Sequence, residues 1–568
     1  MADRKPEQLE RTTSGVKLAD SEVLAILGKK QVLKRRFGFW TLFGFAVCEL
    51  ITWETVLALF SQGLNNGGPA GLVFGFLIAW LSTLSVYTVI SELASIAPIA
   101  SGQYYWVYML APAKYKKSFS YLVGWLTSLA WVATVATETI FAGTIIQGLL
   151  ILNYPDYDPK PYQGTLFAWL VTTVGVFINV VIPDQLPRFE IVILVLHVAG
   201  FIAILATLWA TSPHGSASDV FLTAFNEGGW PTQGLSYCVG FLGNVATFVG
   251  ADASVHMAEE VEDAASSIPR VITSSMIFNG LVGFAMMLTV LFCLGDADTV
   301  LATETGFPFI QVFYDSVQNK AGAVAMGAIV LVLTWACAIG ITTTASRMTW
   351  AFARDKGMPF SKYLSKVAKY NSIPIIAVVA VCSLACLLSL IYIGSETAFN
   401  DVISLTITGF YGSYLLPSVL LFYHRLKGNV GGHSTNKIAS VAPQTLITTD
   451  EEKSTIQDEL EIALPPLNWG PWHIPGLLGI LNNAYACVYM VFVIFWSVWP
   501  PETPVTALTM NYSAVVTGGV LIFAGLWYIL RARREYKGPL VDLEAASILR
   551  RASLLSREDA AVGETVTN

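Results

Sequence analysis

Charge is what this chain lacks. Only 13% of its 568 residues are Asp, Glu, Lys or Arg, against 54% hydrophobic, and the mean hydropathy is +0.58. A soluble domain carries about 25% charged residues, so this composition excludes a soluble globular protein and describes a polytopic membrane protein. Cysteine is scarce as well: the seven residues (48, 238, 293, 337, 382, 386 and 487) all fall in apolar runs, with no Cys/His cluster at ligand spacing. Cys in such places serves as a small hydrophobe, so neither a disulfide framework nor a metal site is expected. The chain has no Walker loop, no dinucleotide fingerprint after a strand, no HExxH and no nucleophile elbow in a usable context. That argues against an enzyme, a cofactor site and ATP-driven transport within this chain. No nucleic-acid partner is expected. A secretory signal is missing too. Residues 1–36 are polar, include Lys29, Lys30, Lys34, Arg35 and Arg36, and meet the first apolar run without a cleavage-like site, so this tail is expected to stay in the cytosol.

Long hydrophobic runs fill the rest. Runs of about 20 apolar residues read as membrane spans, and twelve are expected, near 39–60, 70–90, 121–152, 164–182, 190–210, 236–256, 273–294, 322–347, 373–393, 402–423, 476–499 and 514–531. With the first tail inside, the outer loops hold only Lys160 and Lys320 of the 33 Lys and Arg residues. Such a bias sets the orientation, with both termini cytoplasmic. The sequon Asn511-Tyr512-Ser513 falls in the last outer loop as a glycosylation candidate. The chain thus divides into a tail (1–36), a core of spans 1–10 (37–423), a polar Ser/Thr/Gly-rich linker (424–475), spans 11 and 12 (476–531) and a second tail (532–568) that opens basic and ends acidic.

The stretch Ser236 to Arg270, SYCVGFLGNVATFVGADASVHMAEEVEDAASSIPR, organises the rest. It starts as a membrane-grade helix and then gathers Gly240, Gly243, Asn244, Gly250, Asp252 and His256. Gly costs about 1 kcal/mol in a helix interior, and a carboxylate at membrane depth costs several more. A span that accepts both is expected to be discontinuous, with an unwound middle facing a solute at the bilayer midplane. Span 1 repeats the pattern, with Cys48-Glu49-Leu50-Ile51-Thr52-Trp53-Glu54-Thr55 in its middle. Two apolar connections, Gln103–Leu110 after span 2 and Phe307–Val317 after span 7, occupy matching places on opposite sides. Spans 1–5 and 6–10 therefore read as inverted five-helix repeats with spans 1 and 6 broken. The expected fold is an all-α, twelve-helix membrane protein.

The segments GGPAGLVFGFLIAW (67–80), SELASIAPIASGQYYW (91–106), GTIIQGLLILN (143–153), HMAEEVEDAASSIPR (256–270) and ASRMTWAFARDKGMPFS (345–361) carry a likeness that runs from residue 37 to about 540. In these the chain resembles the amino acid–polyamine–organocation superfamily, and within it the fungal amino acid/choline permeases. The resemblance implies a LeuT-like five-plus-five fold and proton-coupled uptake of an amino acid, 4-aminobutyrate, choline or a related amine across the plasma membrane. It departs from the family where Glu138 replaces a small residue and where Val47-Cys48 replaces an aromatic-Ser pair.

Thr247, Phe248, Val249, Gly250 and Ala251 form the expected span 6 break, faced by Cys48, Thr52 and Trp53 of span 1; unpaired N–H groups there suit a substrate carboxylate. For a cationic end, Trp53, Phe248, Trp131 and Trp335 offer cation–π faces, and Glu54, Glu138 and Asp252 offer charge. Asp252 is alternatively a helix cap. His197 stands alone in ILVLHVAGF, mid-span 5. Its near-neutral pKa class and its place in related transporters make it a proton-coupling candidate, with Glu138 and Asp252 as others; the alternative is a neutral His bonded to a neighbouring helix. Glu259, Glu260, Arg270, Arg347 and Arg354 crowd opposite charges on the inner side, as an inner gate or as flanking charge. Rival functions are movement of an alkaloid, another secondary metabolite or its amino acid precursor, and a nutrient sensor that does not transport.

Overall fold

The computed structural model describes residues 20–370, 372–394, 398–432, 467–507 and 509–539. Residues 1–19, 433–466 of the expected linker, and the tail from 540 lie outside the described residues. Helices dominate because a chain in lipid must satisfy every backbone N–H and C=O within itself. They run α1 (Asp20–Ile26), α2 (Phe39–Leu50), α3 (Thr52–Asn65), α4 (Gly68–Ile96), α5 (Gln103–Leu110), α6 (Lys116–Asn153), α7 (Pro161–Val181), α8 (Leu186–Thr211) and α9 (Ala217–Leu222). Then come α10 (Gln233–Ala246), α11 (Ala253–His256), α12 (Ala264–Phe292), α13 (Ala297–Leu301), α14 (Pro308–Val317), α15 (Lys320–Arg354) and α16 (Ser361–Leu364). The last are α17 (Ile375–Ser389), α18 (Ile391–Gly394), α19 (Ala398–Leu426), α20 (Gly476–Trp496) and α21 (Ser513–Trp527). α5 and α14 fall where the two apolar connections were expected.

Among the described residues, 11 helical segments are long and apolar enough to cross a membrane, one fewer than the twelve expected spans. The difference lies at 236–256. There α10 ends after 14 residues, 247–252 are turns and α11 has only four residues. Gly250, at φ +107, sits in a backbone region that side-chain-bearing residues rarely enter, and the helix cannot pass through it. Span 1 is also interrupted. Ile51, between α2 and α3, has φ 29 and ψ 48, an unfavourable place for a β-branched residue. Strain of this kind costs about 1–3 kcal/mol and persists only where the surroundings enforce it.

Burial places this strained span at the centre. In the most apolar 18-residue stretch of Phe39–Asn65, 89% of residues are buried, whereas in that of the segment beginning at Ser513 only 17% are, and this segment turns an apolar surface outward. α8, α12 and α15 pack on α2, and α10, α12 and α4 on α3, while α6 packs on α5, α7, α15, α17 and α19. Close approach needs small residues: a Cβ on Gly143 of α6 would stand 2.5 Å from the Ala168 backbone nitrogen of α7. The cap of α15 is supplied by Asn319, whose Oδ1 accepts from Ala321 N and Gly322 N at 2.8 and 3.3 Å.

Candidate functional site

The two interruptions meet. Thr52 Oγ1, the first residue of α3, donates to the Thr247 carbonyl at the end of α10 at 3.0 Å. A cavity of about 30 Å³, room for a water-sized group, opens beside them. Its wall includes Glu49, Ile51 and Thr55 of span 1, Thr134, Thr137 and Glu138 of α6, and Val249 and Gly250 of the span 6 break. Glu49 and Glu138 are 3% and 8% exposed, and each has one carboxylate oxygen without a hydrogen-bond partner among the described residues. Glu49 Oε1 accepts from Thr344 Oγ1 of α15 at 3.3 Å.

The backbone of the break is more fully used than the sequence suggests. The N–H groups of Gly250 and Ala251 both donate to the Tyr87 hydroxyl of α4, at 3.0 and 3.2 Å. Phe248 N donates to Val245 O and Val249 N to Ala246 O. The expected row of unpaired donors for a carboxylate is thus bonded already.

Several candidates sit elsewhere than expected. Glu54 is not in the cavity wall; its Oε1 lies 2.7 Å from His197 Nδ1, with both side chains 1% exposed. The interruption at Ile51 turns α3 away from the phase of α2, and Glu54 lands on α8. Trp53 leans on the His197 ring at 5.7 Å and Phe248 on Phe76 at 4.9 Å, so neither presents a face to the cavity. Trp131 packs edge-on against His256 and Phe410, and Trp335 packs against the cluster of Ala142, Val171 and Ala338. Asp252 does not cap α11. Its carboxylate accepts from Gln103 Nε2 at 2.7 Å and Tyr414 OH at 2.5 Å, and His256 Nε2 lies 3.4 Å away. Cys48 Sγ faces the Glu190 carbonyl of α8 at 3.9 Å. Asn511 corrects the glycosylation reading. It is 4% exposed, and the amide nitrogen that would carry a glycan donates to Ser404 Oγ, Ser497 O and Trp499 O.

At the end of the bundle that carries α1, most of the expected charge cluster assembles. Arg354 grips Glu259 with two bonds, 2.7 and 3.1 Å, a strong bidentate geometry. Glu260 accepts from Arg347 Nε at 2.8 Å and from Arg36 Nη1 at 3.1 Å. Lys29 Nζ meets Asp355 Oδ1 at 2.5 Å, and the Tyr104 hydroxyl donates to the other oxygen at 2.8 Å. Arg270 is exposed on α12, outside this cluster.

Sequence reasoning passed over Glu49 as an individual residue, together with Glu190, Tyr87 and Tyr414. Glu190 falls on the first residue of an expected span and so reads as a boundary charge, yet it is 1% exposed. Tyr87 and Tyr414 carry no signal in the sequence, since a hydroxyl that finds a distant backbone N–H, as Tyr87 does, or a distant carboxylate, as Tyr414 does, looks like any other aromatic in a span.

Comparison with known proteins agrees with this architecture. The amino acid permease family model matches residues 37–521. A putative amino acid/polyamine transporter of Macrophomina phaseolina is 29% identical over 475 residues, 84% of this chain and 97% of that protein. The choline transporter of Saccharomyces cerevisiae is 28% identical over 507 residues, 89% and 83% of the two chains. The GABA-specific permease of the same yeast is 28% identical over 540 residues, 92% and 86%. With two interrupted helices meeting at a buried cavity, and a family match across most of its length, this chain belongs to the amino acid permease family.

Proposed function

We infer that the protein is a secondary active, proton-coupled transporter of a small amine-bearing solute, an amino acid or a related amine. Its twelve spans form a five-plus-five inverted repeat in which spans 1 and 6 are the broken pair, with both termini cytoplasmic and the plasma membrane as its place. One observation carries this reading: Thr52 ties the interruption of span 1 to that of span 6 beside a cavity walled by two buried carboxylates. Buried acids facing a cavity are costly and mark solute or ion paths.

Glu138, Val249 and Gly250 meet the solute directly, and Thr52, Thr247 and Ala251 hold the geometry of the break. The Glu54–His197 pair, which joins α3 to α8, is the group that couples proton movement to reorientation. The pairs Arg354–Glu259 and Arg347–Glu260 form the inner gate, which opens by breaking charge contacts.

The test is uptake of labelled choline, 4-aminobutyrate, neutral and basic amino acids and a polyamine in a permease-deficient yeast. It is run at acid and near-neutral external pH, with and without a protonophore. Accumulation of one compound, stronger in acid and abolished by the protonophore, is the expected result. No accumulation of any of them, with protein at the cell surface, refutes it.

A further inference from the structure

The cavity wall offers acceptors and almost no donors. The hydroxyls of Thr55, Thr134, Thr137 and Thr406 each donate to the carbonyl four residues back, at 2.8–3.0 Å. A hydroxyl whose proton is so engaged turns only lone pairs to a neighbour. Glu49 and Glu138 add carboxylate oxygens without partners, and the wall holds no Arg, Lys or His. The nearby backbone N–H groups of Gly250 and Ala251 are held by Tyr87. Phe141 is the one ring in the wall; Trp53, Phe248 and Trp131 are packed on other side chains.

We propose that this cavity takes its substrate by an ammonium head that still carries N–H groups, held by Glu138 with the lone pairs of Thr134 and Thr137, and that it rejects a quaternary ammonium. The inference rests on the amine-transport reading above and names its substrate class. Thr134, Thr137 and Glu138 share one face of α6 by their three- and four-residue spacing, so three acceptors converge as the three donors of a primary ammonium require. A trimethylammonium head brings no donor. It favours an aromatic cage, which this wall lacks.

One ammonium balances one carboxylate, and the second acid, Glu49, keeps its Oε1 on the Thr344 hydroxyl at 3.3 Å. Most other titratable groups packed around it are engaged elsewhere: Glu54 with His197, Asp252 with Gln103 and Tyr414, Cys337 on the Glu49 carbonyl, and Cys48 at the Glu190 carbonyl; the Glu190 carboxyl on α8 is buried, with its Oε1 lacking a hydrogen-bond partner among the described residues.

The test uses purified full-length protein in proteoliposomes and two methylation series: ethanolamine through its N-methyl and N,N-dimethyl forms to choline, and 4-aminobutyrate to its trimethylated betaine. Transport and competition are read for each. In the series that is transported, full methylation is expected to weaken apparent affinity by about tenfold or more, since charge-assisted hydrogen bonds are lost. Glu138→Gln should weaken the unmethylated compound by about tenfold or more and flatten the series. Thr137→Val, nearly the same shape, should weaken it by a smaller factor and leave the trimethylated member unchanged, which covers the case in which Glu138→Gln does not fold. A trimethylated compound that competes as well as its parent overturns the proposal, and so does an unaltered ratio across the series in Glu138→Gln or, where that variant does not fold, in Thr137→Val. Where neither series is transported, the amino acid that folded wild-type protein does transport is compared with its own N-trimethylated betaine in the same way; transport of none of the amines refutes the amine reading itself, and this inference with it.

Discussion

Replacing His197 with Ala should leave a buried charge with no partner. Glu54 Oε1 has His197 Nδ1 at 2.7 Å, its Oε2 has no hydrogen-bond partner among the described residues, and both side chains are 1% exposed. Removing one member of such a pair costs about 3–5 kcal/mol, because the remaining charge is buried without compensation. Removing both charges with apolar residues of similar size is often close to neutral. Glu54→Leu with His197→Leu should therefore be more stable than His197→Ala alone, although it changes more atoms. Unfolding entropy near 2.1 cal/mol/K per residue converts the single loss to a fall of about 3–4 °C in the melting midpoint of a chain this long. The assay is thermal unfolding of the purified protein, followed by tryptophan fluorescence because Trp53 lies against the His197 ring. A parallel transport assay should find that His197→Ala exchanges internal for external substrate but no longer accumulates it on a proton gradient. Single-variant costs that add within about 0.5 kcal/mol would show that the two residues do not act as a pair. Unchanged gradient-driven accumulation would remove His197 from the coupling path.

Tyr87→Phe takes the acceptor from two buried N–H groups, Gly250 and Ala251, at about 1–3 kcal/mol each. Uptake should fall by about tenfold or more with normal surface expression, and near wild-type uptake would contradict the place given to that hydroxyl. Arg354→Ala should loosen the end of the bundle closed by Glu259, and a thiol placed at buried Ser254 should react faster with a reagent supplied from that side. Restored protection in Glu259→Arg with Arg354→Glu would tie the effect to the pair; equal reactivity in wild type and Arg354→Ala would count against a gate there. Gly143→Val should prevent correct packing of α6 on α7, seen as loss of a monodisperse elution peak. Gly519→Ala, where nothing lies within 4 Å of the added carbon, should elute as wild type.

Solvation made the membrane character legible before any packing was known. Apolar runs of about 20 residues, poor in charge and separated by loops biased in Lys and Arg, specify a membrane protein however they pack, because runs of that length can cross lipid. The discontinuity of span 6 was also legible, since glycines and a carboxylate at membrane depth carry penalties that a plain helix would not accept. The opposed charges of Glu259, Glu260, Arg347 and Arg354 were visible as a cluster and are assembled as one. Which side chains face the cavity was not legible. A continuous helix turns about 100° per residue, so facing can be counted along it, but the break at Ile51 resets that phase. Glu49 stays on the cavity while Glu54, five residues on, is delivered to His197. The same limit hid Tyr87, which reaches the Gly250 break from another helix, and Asn511, whose side chain ties three segments together. Facing across a break, and partners distant in sequence, exist only once the helices pack, and those are the features that make the cavity a wall of acceptors.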